Sequence, residues 1–335
     1  MARDLVAERS AALTRLTAPM PGGTSLDRRI RINLQDWYSR GPKPSTIVVR
    51  GGFAWRTQPL TDEELEGHRI EDRPKPDLPR VPPLATLTTL PRGVGLRLAL
   101  TLLFLAQTGQ KNFVGKAGQL NIGIDHTDAR PHGLLDLIAV PAAHTPATAT
   151  VVGTSADTNR KRQIRTALNQ LAGNGIGMIQ LPSPAASASR FSVIRLREEI
   201  GSHTTTPAAY QAPTDGVTFE IPVEFFLNGW IHALRNIEIA MWLMLRSEQS
   251  RSRADVRIDA HRRLVEYDLS IAAYETNTML RRFQLVDAER DPMRRANGTT
   301  IGGRRSLAPH SFSLMDEQLG NDGVSAVAAA LQKSL

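Results

Sequence analysis

Apolar residues recur along this chain first with helical spacing and then, between helices, with the alternation of short strands. Leu5, Leu13 and Leu16 stand among alanines and charges, which suits a helix over 4–16 that "TAPMPGG" stops. From 40 to 92 the pattern gives way to prolines, as in "RGPKPS" and "DRPKPDLPRVPP", and this stretch reads as an extended arm and linker. After Pro91, "GVGLRLALTLLFLAQTG" is apolar nearly all round, as a buried helix ending at Gly109 would be. "HGLLDLIAV" at 132–140 reads as a second, short helix, and "PAAHTPATATVVGTS" as an irregular insertion. Ile164, Leu168 and Leu171 then fall at i, i+4, i+7, with Ser155 or Asp157 as N-cap and Gly173 or Gly175 as the stop. "IGMIQL" and "FSVIRL" follow as strands around a small-residue loop. The order is helix, helix, helix, hairpin.

The same order returns further on. Ile239, Trp242, Leu243 and Leu245 mark a helix that starts near Asn236, "DAHRRLVEYD" is a short helix, and Ser270 caps "IAAYETNTMLRRF". The strands "FQLVDAE" and "HSFSL" then enclose an arginine-rich loop, and residues 320–335 close the chain as a short helix or tail. The expected class is α+β, mainly α. Its expected divisions are 1–91 (helix and basic proline-rich arm), 92–200, a linker at 201–217, 218–317, and a tail at 318–335.

Two stretches carry a likeness to a known arrangement: "DTNRKRQIRTALNQLAGNGIGMIQL" and "RRLVEYDLSIAAYETNTMLRRFQLV", each with the hairpin that follows it. Three helices and a hairpin resemble the winged helix-turn-helix, here over 92–200 and 218–317. Two such units in one chain are similar to plasmid replication initiators that bind repeated origin sites, while many transcription regulators use the single unit. The insertion at 141–154 departs from a compact winged helix, and the leucine zipper of some dimeric initiators is not found. The resemblance implies a sequence-specific binder of duplex DNA, acting as a homodimer or as several copies on repeated sites, with no enzymatic activity and no cofactor. Transcriptional repression is the alternative role.

Charge changes the picture modestly. Lysine and arginine outnumber acidic residues 41 to 33, a formal net charge of +8, which favours a polyanionic partner. More telling is the placement of the cations. Seven arginines lie between 281 and 305, and Arg294, Arg295, Arg304 and Arg305 flank the tight-turn pair Asn297-Gly298, where a wing would touch phosphates or a narrow minor groove. In the second helix expected to read bases, Ala273, Leu280 and Phe283 tend inward and Ala272, Glu275, Thr276 and Met279 outward, with Tyr274 and Asn277 at the boundary. Ser270, Tyr274, Glu275, Thr276, Asn277, Arg281 and Arg282 are therefore the candidate contacts there. In the first unit, Asn159, Arg160, Lys161, Arg162, Gln163 and Arg165 crowd the early turns of the helix, where positive charge opposes the macrodipole and a phosphate would relieve it.

Other chemistries find less support. With no cysteine, disulfides, thiolate nucleophiles and cysteine zinc sites are excluded, and a reducing cytoplasm, with the protein on the nucleoid, is the expected setting. "LALTLLFLA" is about half the roughly 20 residues of a membrane span, and the charged N-terminus does not read as a secretion signal. "GNGIG" runs from helix to strand, the reverse of a nucleotide-binding loop, and no Walker lysine motif is present. Asp125, His126, Asp128, His132 and Asp136 could in principle hold a metal for a nuclease, but their spacing matches no known site and loop polarity accounts for them.

Overall fold

The structure is a computed structural model that describes residues 2–19, 23–66, 78–90, 94–115, 118–128, 130–140, 155–173, 176–183, 190–200, 207–252, 256–289, 292–295, 299, 301 and 308–333, with side chains from Arg9 onward. It is α+β and mainly helical, and the described strands form three small antiparallel sheets. Helices α1 (Ala2–Thr17) and α2 (Leu26–Arg40) come first. Leu26, Ile30, Leu34 and Trp37 give α2 one buried stripe, and the Ser25 hydroxyl caps it by accepting from the Arg28 N–H. Strand β1 (Thr46–Arg50), a 3₁₀ turn at Gly51–Phe53, and helices α3 (Asp62–Leu65) and α4 (Pro83–Thr89) follow.

Next comes a unit of α5 (Val94–Thr108), β2 (Gln119–Leu120), α6 (Leu134–Leu137), α7 (Ala156–Ala172), β3 (Ile179–Gln180) and β4 (Ile194–Leu196). After β5 (Thr218–Pro222), α8 (Glu224–Leu227) and α9 (Trp230–Ala233), the same sequence of elements recurs. It consists of α10 (Asn236–Ser252), β6 (Val256–Arg257), α11 (Ala260–Val265), the consecutive turns α12 (Ile271–Glu275) and α13 (Asn277–Arg282), β7 (Val286–Glu289) and β8 (Ser311–Leu314). In both units the first strand pairs with the third and the third with the second, giving sheet orders β2-β4-β3 and β6-β8-β7. The helix-helix-helix-hairpin order expected from the pattern is present twice. Each unit also has an additional first strand of two residues, too short to show any alternation.

A ribbon joins the units. β1 precedes the first and β5 the second, and they pair antiparallel with Val48 opposite Glu220 at the centre. Beyond the ladder, the Gly51 N–H donates to the Val217 carbonyl at 2.8 Å, and the Val223 N–H donates to the Ser45 carbonyl at 3.1 Å. These two bonds exchange places under a half-turn, and a side chain from each opening helix braces the ribbon. Gln107 of α5 bonds both the N–H and the carbonyl of Val48, and Arg246 of α10 donates to the carbonyl of Glu220. The ribbon thus has a local two-fold axis at its centre, between Val48 and Glu220. Its inner face buries Ile47, Val49, Phe219 and Ile221, with α5 packed on β1 and α10 on β5.

The described residues of the proline-dense stretch pack into the core rather than extending as an arm. Phe53, Ala54, Trp55, Leu84, Ala85 and Leu87 are buried, and α4 packs against both α5 and α10. Pro83 occupies the first turn of α4, where a missing N–H costs nothing. Arg56 goes further and seals the end of α11. It donates to the carbonyls of Val265 and Pro79 at 2.7 and 2.8 Å, and its guanidinium meets Asp268 at 2.6 Å with both side chains 1% exposed. Asp268 takes the left-handed φ of 56°, which short polar side chains tolerate best, in the turn between α11 and α12. The tail is likewise a packed element: α14 (Gly323–Gln332) buries Val324, Val327 and Leu331 and lies against α1 and α9. Gly323 is required there, since a Cβ would sit 2.8 Å from the Trp230 backbone.

Every residue of α10 from Glu238 to Glu248 is buried, so its polar members need internal partners. Glu238 pairs with Arg9 of α1 and with Arg235, Arg246 with Asp316 at 2.6 Å, and Glu248 with Arg251 and Arg262 at 2.8 Å. His232, just before this helix, is not satisfied in this way. Its ring is buried, and neither nitrogen has a hydrogen-bond partner among the described residues. Burial, with Arg97 and Arg31 nearby, lowers its pKa from the ordinary 6.5 to about 3.

An unfolded histidine binds a proton near pH 6.5 that the folded ring refuses until about pH 3, so this group's stabilisation is whole above pH 6.5 and lost as pH falls between those values. Urea midpoints should show the parent losing about 3 kcal/mol more than His232→Leu between pH 7 and pH 4. Equal losses in the two proteins would contradict the neutral, buried ring.

Candidate nucleic-acid interface

In the first unit α7 has two distinct sides. Ser155 caps it, its hydroxyl accepting from the Thr158 N–H at 3.1 Å, and Gly173 ends it. Asn159, Arg160, Ile164, Ala167, Leu168 and Leu171 face inward against α5 and α6. Thr158, Arg162, Arg165, Thr166 and Asn169 form the exposed stripe, spaced three and four apart as one helix face requires.

Of the six candidates on this helix, Arg162 and Arg165 are exposed, and Lys161 and Gln163 are half-buried. Asn159 and Arg160 are corrected to structural positions. Arg160 is 3% exposed, donates to the Leu135 carbonyl at 2.8 Å and pairs with Asp157 at 3.1 Å. Burial lowers its pKa, with Asp157 acting against that effect. The reason lies in the period, since Arg160 stands four residues before the buried Ile164. The dipole conflict expected in these turns is also relieved within the protein: Asp157 lies in the first turn, and Lys161 meets Asp125 at 2.8 Å.

In the second unit α12 and α13 run on through Thr276, which is itself in the right-handed helical region. Tyr274, Thr276 and Asn277 are buried, and the expectation that they face a duplex is overturned. Tyr274 packs against Phe312 with ring centroids 5.8 Å apart. The Thr276 hydroxyl donates to the Ala273 carbonyl, and the Asn277 amide donates to the Tyr274 carbonyl, each at 2.6 Å. Counted from Ala273, positions 276, 277 and 280 are i+3, i+4 and i+7, so these two polar residues share the stripe of Leu280. Ser270 is half-buried, and its side chain makes no capping bond to the helix it starts. Ala272, Glu275, Arg281 and Arg282 are exposed, with Thr278 and Met279 half-buried beside them.

On the wing that follows β7, Arg295 is exposed and Arg294 half-buried, while Asn297, Gly298, Arg304 and Arg305 lie outside the described residues. The Arg295 N–H donates to the Thr299 carbonyl at 2.9 Å and the Ile301 N–H to the Met293 carbonyl at 2.8 Å, so the two limbs pair as a hairpin. Exposed or half-exposed polar residues beyond the candidates include Thr158, Thr166 and Asn169 on α7, Arg195 on β4, Arg257 on β6 and Thr278 on α13. Arg195 was legible, because it alternates with the buried Ile194 and Leu196.

The acidic and histidine cluster is divided between separate pairs, His126 with Asp136 at 3.2 Å and His132 with Asp36 at 2.6 Å. Among the described residues, no three histidine or carboxylate side chains are grouped to hold a metal, and no helix is long and apolar enough to cross a membrane. No protein-family model, curated protein or solved structure matches the chain.

The burial of the second helix can be checked without any ligand. Asn277→Ala should cost about 1–3 kcal/mol in unfolding free energy, because it removes a buried bond. Glu275→Ala, on the exposed side, should stay within about 0.5 kcal/mol. A neutral Asn277→Ala in thermal unfolding would place that side chain outside the core.

Proposed function

We propose that this chain is a sequence-specific duplex-DNA-binding protein built from two winged helix-turn-helix heads. One observation carries the reading: the connectivity helix, strand, helix, helix, strand, strand, with sheet order first-third-second, occurs twice, and each time the third helix turns exposed arginines to solvent. B-DNA's major groove accepts a helix presented in this way, and the hairpin beside it reaches the sugar-phosphate backbone.

The contacts divide by chemistry. Arg162 and Arg165 in the first head, and Arg281, Arg282 and Arg295 in the second, are suited to phosphates, although Arg281 also lies 3.7 Å from Asp287. Glu275 can accept from a cytosine amine, Thr278 can touch a thymine methyl, and Thr166 and Asn169 offer comparable polar groups on α7. Two heads braced by one ribbon and one shared core favour replication initiation at repeated sites over a repressor that brings one head per subunit. The expected partner is therefore double-stranded DNA, with more than one copy of the chain on repeated sequence.

Random-oligonucleotide selection followed by fluorescence anisotropy tests this directly. The selection should converge on a motif. Arg162→Ala with Arg165→Ala, and separately Arg281→Ala with Arg282→Ala, should weaken binding to every sequence and flatten the log-log salt dependence by about 0.9 for each phosphate no longer neutralised. Glu275→Ala should instead relax preference at one base pair, by about 1–3 kcal/mol. An unenriched pool, with salt dependence unchanged in both arginine pairs, would overturn the assignment.

A further inference from the structure

Two of the large apolar side chains exposed among the described residues stand on one hairpin. Met293 is 40% exposed and Ile301 42% exposed, and the 2.8 Å bond from the Ile301 N–H to the Met293 carbonyl sets them across from each other on its two limbs. The second bond, from Arg295 to Thr299, lies two residues further along each limb. By strand alternation Met293 and Arg295 therefore lie toward the same face. A flexible thioether, a branched aliphatic group and a cation are thus gathered on the wing of the second unit, next to a helix whose last turn exposes Arg281 and Arg282.

Standing together, the two side chains leave adjoining apolar area in water that a partner could cover. The pair also has the residue types that proteins insert between base steps from the minor groove, where methionine, isoleucine, leucine and phenylalanine recur as wedges. Unbranched methionine can enter a groove about 6 Å wide, whereas branched isoleucine beside it demands that the groove open. Arginine beside such a wedge holds the flanking phosphate or the narrow groove edge.

Resting on the duplex-DNA reading above, we infer that the second wing inserts Met293 and Ile301 as an apolar wedge into the minor groove, with Arg295 on the adjoining backbone, so that binding unstacks and bends the duplex. The wedge belongs at a pyrimidine–purine step, since TA and CA steps unstack and kink at the lowest cost. It adds shape selection at base pairs that the helices do not touch.

The test uses the full chain and the duplex recovered by selection, probed with permanganate, which oxidises thymines that have lost their stacking. The parent protein should make one or two thymines at a TA or CA step reactive. Met293→Ser with Ile301→Ser should return them to the duplex baseline, while the Kd from anisotropy changes by less than about fivefold, because the phosphate contacts remain. Arg282→Ala should weaken binding yet leave the thymine reactivity intact at saturating protein. Binding by the parent with no reactive thymine, or full reactivity in the double variant, overturns the wedge alone. Failure of the parent to bind any selected duplex overturns the DNA reading and the wedge with it.

Discussion

The antiparallel ladder between β1 and β5 is the constraint on which the rest of the molecule depends. A two-stranded ribbon is marginal by itself in water, so this one persists because both helices that open the repeated units close over its inner face. Ile47 and Val49 from one strand and Phe219 and Ile221 from the other fill that face. Gln107 and Arg246 then satisfy the central backbone groups of the two strands from outside the ladder. The antiparallel pairing ties the strand that precedes one unit to the strand that precedes the other. A chain that would otherwise be two beads on a linker becomes one packed body.

This arrangement decides which polar residues can serve a partner. Once α7 lies against α5 and α6, Arg160 and Asn159 are committed to the interior, and Arg162 and Arg165 are left outside. Once α12 and α13 lie against α10, the same division places Tyr274, Thr276 and Asn277 inside and Glu275 and Arg282 outside. Arg56, Arg9 and Arg246 are also committed, each to a carboxylate that holds distant segments together. Much of the positive charge is therefore structural. What remains outward on the third helices and the second wing is a smaller set with a definite direction, and the proposed DNA role rests on that set rather than on net charge.

Long amphipathic or apolar helices were legible in the sequence, as was the recurrence of their order. Leu-rich α5, the Ile164-Leu168-Leu171 stripe of α7 and the apolar α10 each span several turns. Strands β2 and β6 were not legible, since two residues cannot establish a period. The proline-dense region conceals its packed elements for a different reason: Pro83 sits in the first turn of α4, and Ile47 and Val49 alternate inward along β1. At the candidate interface, polarity does not imply exposure. Thr276 and Asn277 are buried because short side chains can bond the carbonyl three residues back, which removes the cost of taking them from water.

Amide hydrogen exchange across the ribbon tests the central claim most directly. If β1 and β5 hold the two units as one body, the ladder amides of Ile47, Val49, Phe219 and Ile221 should exchange as slowly as those of α5 and α10, through global opening only. Ladder amides that exchange rapidly while both helices stay protected would mean that the units are joined by something other than this pairing.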